Sequence, residues 1–142
     1  MKGSFSEYVL YEPILRILTA RGFKVKCEYV CPGIKHASIG DKKKIDFYAT
    51  KGDLKLAIEV KWAKSKKPKL QKDILKLAAI LKERENVLSI LCVFGSKVVL
   101  EELEVPKTQN LVRLGTMKIA DLKHTDYGCR FFQLLPLPAR AK

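Results

Sequence analysis

Two stretches of the chain repeat their apolar residues every three or four positions, which is the period of an amphipathic helix. They are residues 6–20 and 70–85, and each is predicted to form a helix. The predicted apolar faces consist of Leu10, Ile14, Ile17 and Leu18 in the first helix and of Leu70, Ile74, Leu77 and Leu81 in the second. Gly22 predicts the end of the first helix, because glycine readily adopts the left-handed conformation of a C-cap.

Other stretches alternate apolar with polar residues, or are apolar throughout, and these predict strands. Strands are expected at residues 23–30, 44–51 and 54–62, at the continuous apolar run 87–94, and in short form near 98–100, 111–114 and 130–135. This order of elements predicts a single α/β domain over residues 1–142, with a central mixed sheet flanked by helices. Its core is expected at 6–95, with peripheral β elements at 96–135 and a tail at 136–142.

The second and third strands are predicted to form a hairpin, because Gly52 and Asp53 between them suit a two-residue turn of type II′. That turn pairs Lys51 with Leu54 and fixes the register of every pair beyond it. One face then contains Ala49 opposite Leu56, Phe47 opposite Ile58 and Ile45 opposite Val60, and the other contains Tyr48 opposite Ala57 and Asp46 opposite Glu59. A slip of one residue would scatter the apolar side chains over both faces, which supports this register.

This register brings two carboxylates together. Asp46 and Glu59 are expected to face each other with Cβ atoms roughly 5 Å apart, and Lys61 lies two residues further along the same face. Facing carboxylates repel, so the arrangement indicates a cation between them, and oxygen ligands of this kind suit Mg²⁺. The amine of Lys61 would orient or deprotonate a water molecule, or hold a phosphate. A solvated acid–base pair at a sheet edge is the alternative reading of Glu59 and Lys61.

The charge of the chain favours a polyanionic partner. Lys and Arg number 28 and Asp and Glu 15, which gives a net charge of +13 and a sequence pI of about 9.7, so nucleic acid is expected first. Two lysine clusters flank the paired acids and are expected to bind phosphates, unless they are simply solvated loops. They are Lys42 and Lys43 before the second strand, and Lys64, Lys66, Lys67 and Lys69 after the third.

After nucleic acid, the positive charge would suit an anionic membrane second, but no membrane partner is predicted. The longest apolar run, residues 87–94, is too short to cross a bilayer. Residues 1–7 carry an acid and lack the apolar block of a secretory signal. A cytoplasmic location is therefore expected.

The segments Ile45-Asp46 and Glu59-Val60-Lys61 resemble the motif of the PD-(D/E)XK nuclease superfamily, with Ile45 where that motif usually has proline. The resemblance covers roughly residues 6–95, and in size and charge the chain is similar to archaeal Holliday-junction resolvases. It implies that Asp46 and Glu59 hold Mg²⁺, for which Mn²⁺ would substitute, and that Lys61 assists the attacking water. The implied activity is a metal-dependent endonuclease acting on DNA, including branched or junction DNA.

Many members of that superfamily add an acid from the first helix and some add a Gln or Lys from the second. Glu7 is preferred to Glu12 as a catalytic and metal-binding residue, because Glu7 shares the stripe that faces the sheet. On the second helix Gln71 is preferred to Lys72, which lies on the opposite side. A non-catalytic nucleic-acid-binding or assembly module is the alternative function, RNA stays open as a substrate, and two-fold substrates would suggest a homodimer.

Overall fold

The computed structural model describes residues 8–32, 43–106, 110–122 and 125–136. In chain order its elements are α1 (Tyr8–Ala20), β1 (Lys24–Val30), β2 (Lys44–Lys51), β3 (Leu54–Trp62), α2 (Gln71–Glu83), β4 (Val87–Ser96), α3 (Lys97–Glu101), β5 (Leu111–Leu122) and β6 (Thr125–Leu134). The predicted order of helix, three strands, helix and strand is confirmed as far as β4.

The described strands form one six-stranded sheet in the order β1-β2-β3-β4-β6-β5. The strands β3 and β4 are parallel, and every other neighbouring pair is antiparallel. A parallel pair needs a crossover connection, which α2 provides between β3 and β4. The protein is therefore α/β with a mixed sheet flanked by helices, as the sequence predicts.

Beyond β4 the predicted short strands are partly wrong. Residues 98–100 lie in α3, because Ser96 caps a helix there: its Oγ accepts a hydrogen bond from the Val99 N–H at 3.3 Å. The segments near 111–114 and 130–135 do contain strands, but β5 and β6 are longer than predicted and pair with each other as an antiparallel ribbon. β5 is an edge strand, and its side chains at Val112, Arg113 and Leu114 are exposed.

An apolar cluster covers each face of the sheet. The cluster on the α1 side contains Leu18, Phe47, Ala49, Ile58, Val60, Cys92, Phe94 and Cys129. The cluster on the α2 side is centred on Ile45, Ala57, Ile74, Leu77, Ile80, Leu91, Val93 and Phe132. The predicted stripe of α1 is wrong at Ile17, which is 57% exposed, because successive helical residues point about 100° apart and Leu18 is the one that faces the sheet. None of the described helices combines the length and apolar character needed to cross a membrane.

The predicted register of the β2–β3 hairpin is confirmed from the turn as far as Phe47, which pairs with Ile58. Gly52 has a φ of +57°, so the turn does use the left-handed conformation that glycine favours. The hairpin therefore carries Asp46 and Glu59 to its open end, where the regular pairing between β2 and β3 stops.

The alternation of side chains breaks at Asp46. Phe47 packs with the α1 cluster, but Ile45 packs with the α2 cluster, so the expectation that they share one face is wrong. The break coincides with an irregularity in the neighbouring strand, where Glu28 lies opposite Asp46 with a φ of +51°. A non-glycine residue in that conformation costs about 1–3 kcal/mol, and such strain is concentrated at functional sites.

Candidate active site

The Asp46 carboxylate lies between β3 and α1. Its Oδ2 accepts a hydrogen bond from the backbone N–H of Val60 at 2.7 Å, and its Oδ1 accepts one from the hydroxyl of Tyr11 on α1. The ring of Tyr11 packs on Phe47 with ring centroids 4.9 Å apart, which anchors the hydroxyl. Asp46 is therefore held by two donors from different elements.

Glu59 is the most deeply buried acid of the described residues, with 1% of its surface exposed. Its Oε1 accepts the backbone N–H of Asp46 at 2.7 Å, which replaces the main-chain ladder that stops at Phe47. Its Oε2 pairs with the ammonium of Lys76 on α2 at 2.7 Å. Lys76 also donates to the backbone carbonyl of Lys44 at 2.9 Å, so the ammonium is fixed between β2, β3 and α2.

A third acid, Asp73, reaches the same place from the first turn of α2. It is 8% exposed, and its buried Oδ2 has no hydrogen-bond partner within the described part of the chain. The Lys61 ammonium lies 3.5 Å from that oxygen, which is an ion pair beyond ordinary hydrogen-bond length. The helix that crosses from β3 to β4 thus adds one acid and one lysine to the pair predicted from the hairpin.

Burial and mutual repulsion dominate the electrostatics of the cluster. Burial, and after it the charge of Asp46, raises the pKa of Glu59 from its ordinary 4.5 to about 9. Burial also raises the pKa of Asp46, although the hydrogen bonds from Tyr11 and Val60 oppose the change. Burial lowers the pKa of Lys76, but attraction to Glu59 outweighs it and the net change is upward. The site therefore favours an added positive charge.

The other predicted site residues are distributed as follows. Gln71 is exposed at the start of α2, and Glu12 is exposed on α1, where it pairs with Arg16 at 3.1 Å. Glu7 and Lys42 lie outside the described residues. Lys43 is half-buried beside β2, and the basic linker, which we define as Lys64, Lys66, Lys67 and Lys69, is exposed directly after β3. The structure thus brings Asp46, Glu59 and Lys61 into one region and leaves Gln71 outside it.

Three residues of the site were missed in the sequence. Asp73 and Lys76 are three positions apart and border the apolar face formed by Ile74 and Leu77, which was the available signal for two polar groups facing the sheet. Tyr11 follows Leu10 of the predicted apolar face of α1. The helical period does not predict which strand residue its hydroxyl contacts. The contact depends on how α1 packs on β2.

Comparison with models of known protein families and with curated proteins gives no match to this chain.

The residues present fit a hard divalent cation. Mg²⁺ commonly binds through one or two carboxylates and keeps several waters, so it does not need a complete cage of side chains. Among the described residues no group of three or more His, Cys, Asp or Glu is arranged to hold a metal ion as it stands. Asp46 and Glu59 nevertheless supply the oxygen ligands that Mg²⁺ prefers. Within the described part of the chain, the buried Asp73 Oδ2 has no hydrogen bond and only the ion pair with Lys61 at 3.5 Å.

Proposed function

We propose that this protein is a metal-dependent nuclease that hydrolyses phosphodiester bonds in DNA. The observation that carries the proposal is the convergence of three buried or half-buried acids, Asp46, Glu59 and Asp73, beside the ammonium of Lys61. Buried acids are costly when they lie together without a compensating cation, and groups with strongly changed pKa values are concentrated at functional sites. The resemblance of Ile45-Asp46 and Glu59-Val60-Lys61 to the PD-(D/E)XK motif supports the same function.

In this proposal Asp46 and Glu59 hold Mg²⁺, with Mn²⁺ as a substitute. The bound ion would polarise the phosphodiester and stabilise developing negative charge. Lys61, next to Asp73, orients the attacking water or steadies a phosphate oxygen. Tyr11 positions Asp46 through its hydroxyl.

The basic linker supports nucleic acid as the substrate. It is exposed and begins just after β3 ends, two residues after the half-buried Trp62. Lysines so close to the acids are suited to contact phosphates on either side of a scissile bond, which fixes register without reading sequence. DNA is preferred to RNA because of the resemblance, and a cytoplasmic location and a homodimer on two-fold substrates remain part of the proposal.

The direct test is cleavage by the purified full-length protein. Linear duplex, flapped and four-way DNA, and a matched RNA, are incubated with Mg²⁺, with Mn²⁺ and with a chelator. Cleavage of at least one DNA substrate is expected with either metal and none with the chelator. If every DNA substrate stays intact under all metal conditions, the protein is not a DNA nuclease. Cleavage of the RNA alone would replace the substrate class.

A non-catalytic nucleic-acid-binding module is the second candidate. The observation that favours it is the pairing of Lys76 with Glu59, which compensates the buried carboxylate without a metal. A module of this kind would bind DNA through the basic linker and would show no response to magnesium or manganese.

Replacing Lys76 with methionine separates the two candidates. The Lys76 ammonium competes with a divalent cation for the Glu59 carboxylate, so Lys76→Met is expected to tighten Mn²⁺ binding about tenfold, measured by titration calorimetry. The exposed Lys82 on the same helix provides the control variant Lys82→Met, which should bind Mn²⁺ like the original protein. Absence of Mn²⁺ binding in both the original and Lys76→Met proteins would favour the non-catalytic module.

A further inference from the structure

Two arginines lie together on the β5–β6 ribbon, away from the carboxylates. Arg113 on β5 pairs directly opposite Phe132 on β6, and Arg130 lies two residues before Phe132 on the same strand. Directly paired residues, and residues two apart on a strand, point to the same face. Arg113 and Arg130 are therefore diagonal neighbours on the α2 side of the sheet, where Phe132 belongs to the apolar cluster.

Arg130 is partly enclosed. Its side chain is half-buried, and its Nε is buried without a hydrogen-bond partner in the described structure. Burial, and then the nearby charge of Arg113, lowers its pKa, and Glu101 at the end of α3 opposes that change. The carboxylate of Glu101 also lies 3.9 Å from the Lys97 ammonium, so it is shared between cations.

A buried N–H without an acceptor carries a desolvation cost, and the Arg130 Nε is such a group within the described part of the chain. An anion with several acceptor oxygens supplies the missing acceptor and suits the neighbourhood of two guanidinium groups. Phosphate is the anion that suits best, because guanidinium presents a planar fork of donors that matches phosphate oxygens in two parallel hydrogen bonds.

The arginine pair belongs to the same face as the candidate active site. Arg130 pairs opposite Val93 on β4, and Val93 pairs opposite Lys61 on β3, so two strand spacings, about 10 Å, separate the backbones of Lys61 and Arg130.

The basic linker reaches toward the arginines as well. The backbone carbonyl of Lys66 accepts the N–H of Glu104, shortly after α3, at 2.7 Å. Lys67 pairs with the Glu104 carboxylate at 3.6 Å. Glu101, the last residue of α3, lies near Arg130, and Glu104 follows it by three residues. The linker therefore contacts the chain just after the residue that neighbours Arg130.

We propose that Arg113 and Arg130 form a second phosphate-binding site, which holds the nucleic-acid backbone at a distance from the bond that is cut. The site rests on the proposed function only in taking a nucleic acid as its ligand, and it does not require cleavage. In this proposal the substrate reaches from the end of β3 to the β5–β6 ribbon, so that the ribbon fixes its direction while the acids act at one end.

The test measures binding of a fluorescent DNA duplex over a range of salt concentrations, with EDTA present so that cleavage cannot interfere. The logarithm of the association constant falls with the logarithm of salt concentration by about 0.9 for each phosphate contact. Arg113→Gln and Arg130→Gln should each flatten that slope by about 0.9, and the double variant by about 1.8. Arg16→Gln, an exposed arginine on α1, is the control and should leave the slope unchanged.

The outcomes separate this inference from the nuclease proposal. A double variant that is folded by circular dichroism and keeps the original slope overturns the second phosphate site, whether or not the original protein cuts DNA. A flattened slope supports the site even if no cleavage is seen. An original protein that binds no duplex at all overturns the site and removes nucleic acid as the substrate. If Arg130→Gln does not fold, the exposed Arg113→Gln alone decides, with a loss of about 0.9 in slope supporting the site and no change overturning it.

Discussion

Replacing Asp46 with asparagine is expected to lower the rate of metal-dependent DNA cleavage about 1,000-fold while leaving the affinity for DNA nearly unchanged. Asparagine keeps the shape of the side chain and an oxygen that can accept the Val60 N–H, so the fold should survive. It removes the negative charge that would hold the metal, and loss of about 4 kcal/mol of transition-state stabilisation corresponds to that factor in rate. Initial cleavage rates at saturating Mg²⁺ provide the measurement.

Glu12→Gln is the matched control for this experiment. Glu12 is the acid of α1 that the sequence analysis ranks below Glu7. It is exposed, and the contact described for it is the ion pair with Arg16 on the same helix. Exposed pairs of this kind contribute about 0–1 kcal/mol to stability. Glu12→Gln should therefore cut DNA at the original rate. Equal rates for Asp46→Asn and the original protein would show that the acid cluster does not perform the chemistry.

The part of the site that the sequence predicts is the part set by local geometry. The turn at Gly52 and Asp53 fixes the register of β2 and β3, and register alone carries Asp46 and Glu59 to the same end of the hairpin. Every step of that prediction involves residues close in sequence. The prediction failed first at Ile45, because the sequence of β2 gives no sign of the left-handed conformation at Glu28 in the neighbouring strand.

The remaining site residues depend on packing between distant elements. Asp73 and Lys76 could be placed on a helix face, but which turn of α2 lies over Glu59 depends on the crossover from β3 to β4. Gln71 borders the predicted apolar face, but in the structure it is exposed, and Asp73 and Lys76 are the α2 residues that contact Glu59. Tyr11 required knowledge of how α1 crosses β2, which no periodicity supplies.

The break in the sheet and the acid cluster are parts of one arrangement. Where regular pairing of β2 with β3 stops, two backbone N–H groups lose their usual acceptors, and an unpaired buried N–H is costly. The Glu59 carboxylate accepts the N–H of Asp46, and the Asp46 carboxylate accepts the N–H of Val60, each at 2.7 Å. The acids are therefore held in place by the same irregularity that they repair.

Replacing Glu59 with glutamine is expected to change how stability depends on pH. The pKa of Glu59 in the folded protein, about 9, is above its ordinary value of 4.5, so the folded state binds a proton that the unfolded state releases. The contribution of Glu59 to stability is thus fully present below about pH 4.5 and is lost as pH rises toward 9. Relative to Glu59→Gln, the original protein should lose about 2–4 kcal/mol of unfolding free energy between pH 5 and pH 8.

Urea unfolding at several pH values, in EDTA, measures this difference. A constant offset between the two proteins is expected, because the amide of glutamine cannot accept from both the Asp46 N–H and Lys76. The informative quantity is therefore the slope of the difference with pH, and Glu12→Gln, whose side chain stays in water, should give a slope near zero. A flat difference for Glu59→Gln would mean that the Lys76 ammonium already compensates the carboxylate fully. The need for a metal at Glu59 would then disappear, and with it the main electrostatic reason to expect a nuclease.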